Sequence, residues 1–269
     1  MPRTQPIAIV KGAGDLGSGV AYRLHKAGFR VLCTDLDQPQ AIRRAVSFAS
    51  AIYDGRCVVE GVQSERVLFA DEAIYLWQRN IVAVLADPTA HVVDVLKPEI
   101  VVDAIMAKRN TGTKIDDAPI VVALGPGFEA GQNCHAVIET NRGHDLGRVI
   151  WKGGAQPNTG VPGKVGGEDE KRVIRAAHDG MFYGRRAIGD KVSEGEVIAN
   201  IDTTPVRATL SGVLRGLLRD NIRVTERTKI ADIDPRDDPR FCFTISDKAL
   251  AIGGGVLEAV FAMRERFDT

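Results

Sequence analysis

The 269-residue sequence has no net charge: 35 Lys+Arg balance 35 Asp+Glu. A chain-wide basic surface for nucleic acid or anionic membrane is therefore excluded. Cysteine is sparse. Cys33, Cys57, Cys134 and Cys242 stand far apart with no C-x-x-C, which argues against a disulfide framework or a zinc knuckle and suits reduced, cytosolic thiols. Long apolar runs are missing too. Stretches such as IVAVLA (81–86) fall far short of the about 20 residues needed to span a bilayer. The opening MPRTQPIAIV runs almost at once into strand-like residues, with no room for a signal-peptide core. G-x-S-x-G, H-E-x-x-H and Walker A patterns are absent, and no carboxylate pair suggests glycosidase chemistry. These absences lead to the expectation of a cytoplasmic globular protein with no nucleic-acid or membrane partner and no metal.

What is present is an alternation of apolar runs and helical patterns over the first 151 residues. IAIVK (7–11), RVLCTD (30–35), IVAVLAD (81–87), EIVVDAI (99–105) and APIVVAL (118–124) are Val/Ile-rich and apolar on both faces, as buried parallel strands are. A helix is expected over about 15–27, with Leu16, Val20, Leu24 and Ala27 on one side and Gly28 at its end. A second helix is expected over IRRAVSFASAIY, then an extended CVVEGV, with further strands at 134–140 and 147–151. Residues 152–170 hold six glycines and few apolar residues, which marks a linker. Its length suggests a role for the loop at 157–163.

The first strand runs into a glycine turn. Gly12, Gly14 and Gly17 stand at G-x-G-x-x-G spacing between a strand and a helix, and Asp35 ends the next strand. In a dinucleotide site Gly12 makes the turn, Gly14 admits the pyrophosphate and Gly17 packs the helix close; the acid takes ribose hydroxyls, favouring NAD over NADP. Against this stands Asp15. In the first helical turn it occupies the positive field an anion would use, stabilising the helix by roughly 0.3–1 kcal/mol. Lys11 would offset that repulsion if it faced the ligand. A nucleotide site and a purely structural turn both remain open.

Beyond the linker lies an internal repeat. GMFYGRRAIGDKVSEGEVIANID (180–202) and GVLRGLLRDNIRVTERTKIADID (212–234) align at a constant offset of 32. Identical pairs include Gly180/Gly212, Gly184/Gly216, Val192/Val224 and Asp202/Asp234. Two such halves bury apolar faces that neither could bury alone. The repeat resembles the biotinyl/lipoyl barrel-sandwich fold, with G-D-x-V-x-x-G-x-x-I at 189–198 and TPVRATLSGVL at 204–214. The hairpin between Ile201 and Val206 is short and holds no lysine, so a swinging-arm carrier is not expected. The expected fold class is therefore α/β: a Rossmann-like parallel-sheet domain (1–151), the linker (152–170), a lysine-less barrel-sandwich all-β domain (171–236), and a C-terminal strand FCFTI and helix (237–269) returning to the first domain.

Three smaller constellations have bland readings beside the functional ones. Cys134, His135, Glu139 and His144 lack metal-ligand spacing, and strand neighbours point to opposite faces. Cys134 is either a reactive or a buried thiol. Gly253–Gly255, after Lys248, form either an anion-binding nest or a close-packing stretch.

IRRAVSF (42–48), ALGPGF (123–128), CHAVIETNRGH (134–144), GRVIWKGGAQPNTGVPG (147–163), KIADIDPR (229–236) and ISDKALAIGGGVLEAV (245–260), taken with the glycine turn, carry a closer likeness. Over nearly its whole length the chain resembles the YqeB-type accessory proteins of the selenium-dependent molybdenum hydroxylase system, and its first part is similar to the Rossmann domain of XdhC-like proteins. That resemblance implies a maturation factor for a molybdenum hydroxylase, with the hydroxylase apoprotein as partner and a nucleotide or the molybdenum cofactor as ligand. The expected cofactor-binding residues are Gly12, Gly14, Asp15, Gly17, Asp35, Lys108, Asn110, Gly125, Pro126 and Gly127, gathered at the carboxyl edge of the sheet. The loop at 157–163 and the glycines at 253–255 would close over them. The alternative is an NAD-dependent oxidoreductase using His135 or Lys108. A scaffold without a small ligand is a third reading, and a homo-oligomer is left open.

Overall fold

β1 (Ile7–Lys11) is apolar on both faces because it lies at the centre of a sheet, parallel to a neighbour on each side. The computed structural model describes residues 5–157, 167–168 and 171–267. The chain falls into two units. Met1–Pro39, Ser47–Asn158 and Ile245–Thr269 make the first; Gln40–Val46 and Thr159–Thr244 make the second.

After β1 the first unit runs through α1 (Asp15–Lys26), β2 (Arg30–Asp35), α2 (Ser50–Asp54), β3 (Arg56–Val59), β4 (Val62–Val67), a 3-10 turn at Ala70–Glu72, and α3 (Ala73–Gln78). It continues with β5 (Val82–Ala86), α4 (Val92–Leu96), β6 (Ile100–Asp103), β7 (Ile120–Leu124), β8 (Ala136–Ile138) and β9 (Val149–Ile150). The nine strands form one sheet in the order β3-β4-β5-β2-β1-β6-β7-β8-β9. Pairing is parallel from β4 through β8 and antiparallel at both ends, where β3 joins β4 and β9 joins β8. Fully buried Ile9, Leu32, Ile100, Ile120 and Ile138 fill this sheet's interior, each contributing about 1.5–3 kcal/mol relative to exposure.

The second unit holds β10 (Val173–Arg175), β11 (Gly180–Gly184), β12 (Lys191–Val192), β13 (Val197–Ile201), β14 (Thr204–Arg207), β15 (Gly212–Leu217), β16 (Ile222–Val224), β17 (Lys229–Asp234) and α5 (Arg240–Phe243). Its strands form two four-stranded antiparallel sheets, β10-β17-β15-β12 and β14-β13-β11-β16. The sequence repeat is visible in them. β11, β12 and β13 of the first copy correspond to β15, β16 and β17 of the second, and each copy lends its middle strand to the other's sheet. The 40–46 segment, which follows β2 in sequence, completes this unit: the Ile42 carbonyl accepts the Leu217 N–H, and Arg43 donates to the carbonyls of Phe241 and Thr244. Last comes α6 (Asp247–Phe267), in the first unit, packed along α1.

The expected fold class needs correction. A parallel Rossmann-like domain followed by a biotinyl/lipoyl-like barrel-sandwich is replaced by a mixed nine-stranded sheet and two separate four-stranded antiparallel sheets. Local readings change too. The helix expected over IRRAVSFASAIY is only a 3-10 turn at Arg44–Val46 and the short α2, because Arg43 and Arg44 are drawn into the second unit. The strand expected at FCFTI is absent: Phe241–Phe243 belong to helix α5, which Thr244 ends in extended conformation. The hairpin at CVVEGV turns at Glu60 and Gly61, both at positive φ.

Candidate functional site

The chain leaves β1 first towards β2 and β5 and later returns to β6 on its other side. Strand order thus reverses beside β1, the place where open α/β sheets form a crevice at their carboxyl ends. The glycine turn lies there. Gly12, at φ +93°, has no room for a side chain: a Cβ would lie 2.8 Å from the Ala104 carbonyl oxygen beyond β6. A Cβ on Gly17 would collide with the Gly12 carbonyl, so helix and turn touch backbone to backbone. Gly14 differs. Its backbone is ordinary (φ −70°, ψ −170°), it is the N-cap of α1 with no side-chain cap, and a Cβ there would meet nothing within 4 Å.

The strand ends around this turn share a device. The Asp35 carboxylate accepts the N–H groups of Ala13 and Leu36, both at 2.8 Å. Asp87, just past β5, accepts the Val92 N–H and the Thr89 hydroxyl. Asp103 accepts the Ile105 N–H and the Thr113 hydroxyl. Glu139, just past β8, accepts the N–H groups of Asn141 and Gln156. Each acid satisfies backbone donors where its strand stops. The sequence singles out Asp35 at a strand end and Glu139 only beside possible metal ligands, and passes over Asp87 and Asp103, although each closes an apolar run.

Lys11 does not turn towards a ligand. It is buried, donates to the Thr113 hydroxyl and lies 3.8 Å from Asp103. Asn110 is likewise engaged: its oxygen accepts the N–H groups of Gly112 and Thr113 and its amide donates to the Thr113 carbonyl. It shapes the loop rather than facing outward. Lys108 is exposed on that loop at φ +61°. A Cβ on Gly127 would press on the Arg109 backbone, so this loop and the Gly125–Pro126–Gly127 loop stand side by side. The ten expected residues therefore all end or follow β1, β2, β6 and β7, four adjacent strands spanning about 15 Å.

Other candidates fall away. His135 lies level with Val121 and Ile9, two residues short of the Lys11–Asp103 row and three strands from β1. Its Nδ1 accepts the Val121 N–H, and burial holds its pKa below the usual value. Cys134 is fully buried in the apolar core, with burial pushing its thiol up to about 12, so it is a packing thiol. Gly253–Gly255 form no nest: α6 runs straight through them. Gly253 abuts the Gly19 carbonyl and Arg23, and Gly255 abuts Gly147. Residues 158–163 of the 157–163 loop lie outside the described residues. Among the described residues no group of three His, Cys, Asp or Glu side chains could hold a metal, and no helix is long and apolar enough to cross a membrane. A cleft of about 780 Å³ lined by Asp94, Lys97, Glu99, Lys114, Asp116 and Asp117 leads into β6 and β7 at their amino ends, opposite the glycine turn.

No family model matches the chain. The protein named Uncharacterized protein YqeB from Escherichia coli (strain K12) is 49% identical over 262 residues, 97% of this chain and 48% of that protein. The chain thus spans about half the length of the curated relative it matches. This likeness supports the YqeB family resemblance; it carries nothing on selenium, molybdenum hydroxylases or an XdhC-like domain. Among solved structures, an aspartoacylase family protein from Mesorhizobium loti is 10% identical with a TM-score of 0.26, covering 86% of this chain and 85% of that one. A succinylglutamate desuccinylase from Silicibacter is 14% identical with a TM-score of 0.25 and the same coverages. Scores this low carry no argument about activity. Neither the absence of a matching family model nor the likeness to an uncharacterized protein supports a hydroxylase maturation factor or a nicotinamide oxidoreductase. Both expectations are withdrawn.

Proposed function

We propose that the first unit binds a small phosphate- or carboxylate-bearing molecule at the start of α1. Gly14 carries this reading. Gly12 and Gly17 have steric reasons inside the fold, whereas Gly14 has an ordinary backbone and open space where a side chain would be. An uncapped helix start with a bare Cα beside it lets an anionic oxygen approach the backbone N–H groups in the positive end of the helix field. Lys108, on the neighbouring loop, adds a cation to the same edge, and Asp35 fixes the turn's shape through Ala13. The cofactors expected from the sequence, NAD, another nucleotide or the molybdenum cofactor, all carry phosphate and fall within this class.

The test is calorimetric titration with inorganic pyrophosphate, then with NAD and AMP. Saturable binding by the wild type, weakened at least about tenfold by Gly14→Ala with the melting temperature lowered by no more than the few degrees that alanine costs at an N-cap, is the expected result. An alanine fits this backbone, so lost affinity with retained stability reports ligand approach. Equal affinity in both proteins, or no heat with any probe, overturns the reading.

A further inference from the structure

The first unit carries an exposed apolar patch away from the glycine turn. Leu68 (63% exposed), Phe69 (67%), Ile74 (46%) and Tyr75 (70%) follow one another between the end of β4 and the middle of α3. α4 packs against the 3-10 turn between them and presents Val95, 58% exposed. The placement is fixed, not frayed: the Glu72 carboxylate accepts the N–H groups of Leu68 and Phe69, while Ala73, Leu76 and Trp77 anchor the other face of α3, the Trp77 indole donating to the Val31 carbonyl. Five large side chains exposed to this degree amount to roughly 500 Å² of apolar surface, the upper range for a monomer and commonly an interaction site.

We infer that this patch pairs with the same patch of a second copy about a two-fold axis crossing α3. Two observations favour that occupant. First, the area suffices: two patches together remove roughly 1,000 Å² of apolar surface, and a polar rim brings that into the range of a specific dimer. Second, the charges on α3 are self-complementary. Asp71 precedes the helix, and Arg79, its side chain 60% exposed and 3.4 Å from Glu65, follows it. A two-fold axis across a helix sets two copies antiparallel, so Asp71 of each faces Arg79 of the other. Glu72 is held in its cap and Asp94 by Lys97, and Arg79, paired with Glu65 on an exposed edge within its own chain, would be shared between that carboxylate and Asp71 of the second copy.

The inference is independent of the ligand reading. Sedimentation equilibrium on the full chain should show a dimer at micromolar concentration. Tyr75→Arg and Phe69→Arg should each weaken it at least about a hundredfold while leaving the melt of the monomer unchanged. Asp71→Arg should weaken the dimer about tenfold, and adding Arg79→Glu should restore it, a rescue that damage to the fold would not produce. A monomer at every concentration, which would assign the patch to a different chain, overturns the inference. So does a dimer indifferent to Tyr75→Arg, or an Asp71→Arg defect that Arg79→Glu leaves in place.

Discussion

The carboxylate of Asp35, at the end of β2, accepts the Ala13 N–H inside the glycine turn that follows β1, 2.8 Å away. One side chain thus ties two strand ends together and sets a negative charge beside the α1 N-terminus. Burial pushes this carboxyl above the ordinary range, the Leu36 and Ala13 N–H bonds acting in the other direction. The folded pKa being raised, the associated stability is fully present below the unfolded value of about 3.9 and is lost as pH rises through the folded pKa.

That titration should be felt by a bound anion. Sulfate, which does not change charge in this range, should bind more tightly as pH falls from neutral through the raised pKa of Asp35. In Asp35→Asn the rise attributable to this group should be gone. Calorimetric titrations at a series of pH values compare the two; superimposable profiles would contradict the placement of the charge beside the ligand.

Asp15 offers a second electrostatic test. It is the acidic residue of α1's first turn, where its charge favours the helix but opposes an incoming anion. Asp15→Asn should tighten pyrophosphate binding about three- to tenfold while costing the fold roughly 0.3–1 kcal/mol. Weaker binding in Asp15→Asn would instead make the aspartate a ligand-holding group.

The parallel strands and the turn were legible because their causes are local. A doubly buried strand must be apolar on both faces, and Gly12 and Gly17 are imposed by contacts with chain close in sequence or in the adjoining strand. The 32-residue repeat was legible for the same reason. What stayed hidden depends on distant partners. Nothing in IRRAVSF announces that Arg43 reaches carbonyls at 241 and 244 and so ends a helix that local propensity favours. Asn110 looked like a ligand contact, yet its amide is spent on its own loop. Thr113, the hydroxyl joining Lys11 to Asp103, has no sequence signature at all; only the pairing of β1 with β6 brings the three together.

The glycines of α6 give a stability prediction with opposite signs at adjacent positions. Glycine within a helix costs about 0.8–1.0 kcal/mol relative to alanine. A Cβ on Gly254 would meet nothing within 4 Å, so Gly254→Ala should stabilise the protein by about that amount. On Gly255 the same methyl would collide with the Gly147 carbonyl, backbone that cannot step aside without moving the turn after β8. Gly255→Ala should therefore destabilise by about 2 kcal/mol or more despite the helix-propensity gain. Urea unfolding of the two variants checks this, and equal signs would refute the packing account of the glycine run.

In the second unit, Asp234 ends β17 nearly fully buried, 2.6 Å from Arg236 and 3.4 Å from Arg215, itself buried. Burial raises its pKa, but the hydrogen bonds from Arg236 and the charges of Arg215 and Arg236 outweigh it and hold the carboxyl below the ordinary range. With a depressed folded pKa, the stabilisation is present above the unfolded value of about 3.9 and disappears as pH falls through the folded one. Asp234→Asn leaves the buried Arg215 facing a neutral amide and should cost about 3 kcal/mol or more at neutral pH, a difference that shrinks in acid. Its repeat counterpart, Asp202, is exposed and accepts the Met181 N–H, with no buried arginine paired to it among the described residues, so Asp202→Asn should cost only about 0.5–1.5 kcal/mol. Urea melts at neutral and acid pH distinguish the two positions: equal losses, or an Asp234→Asn defect that persists undiminished in acid, would show that the arginine pair is not what holds the end of β17.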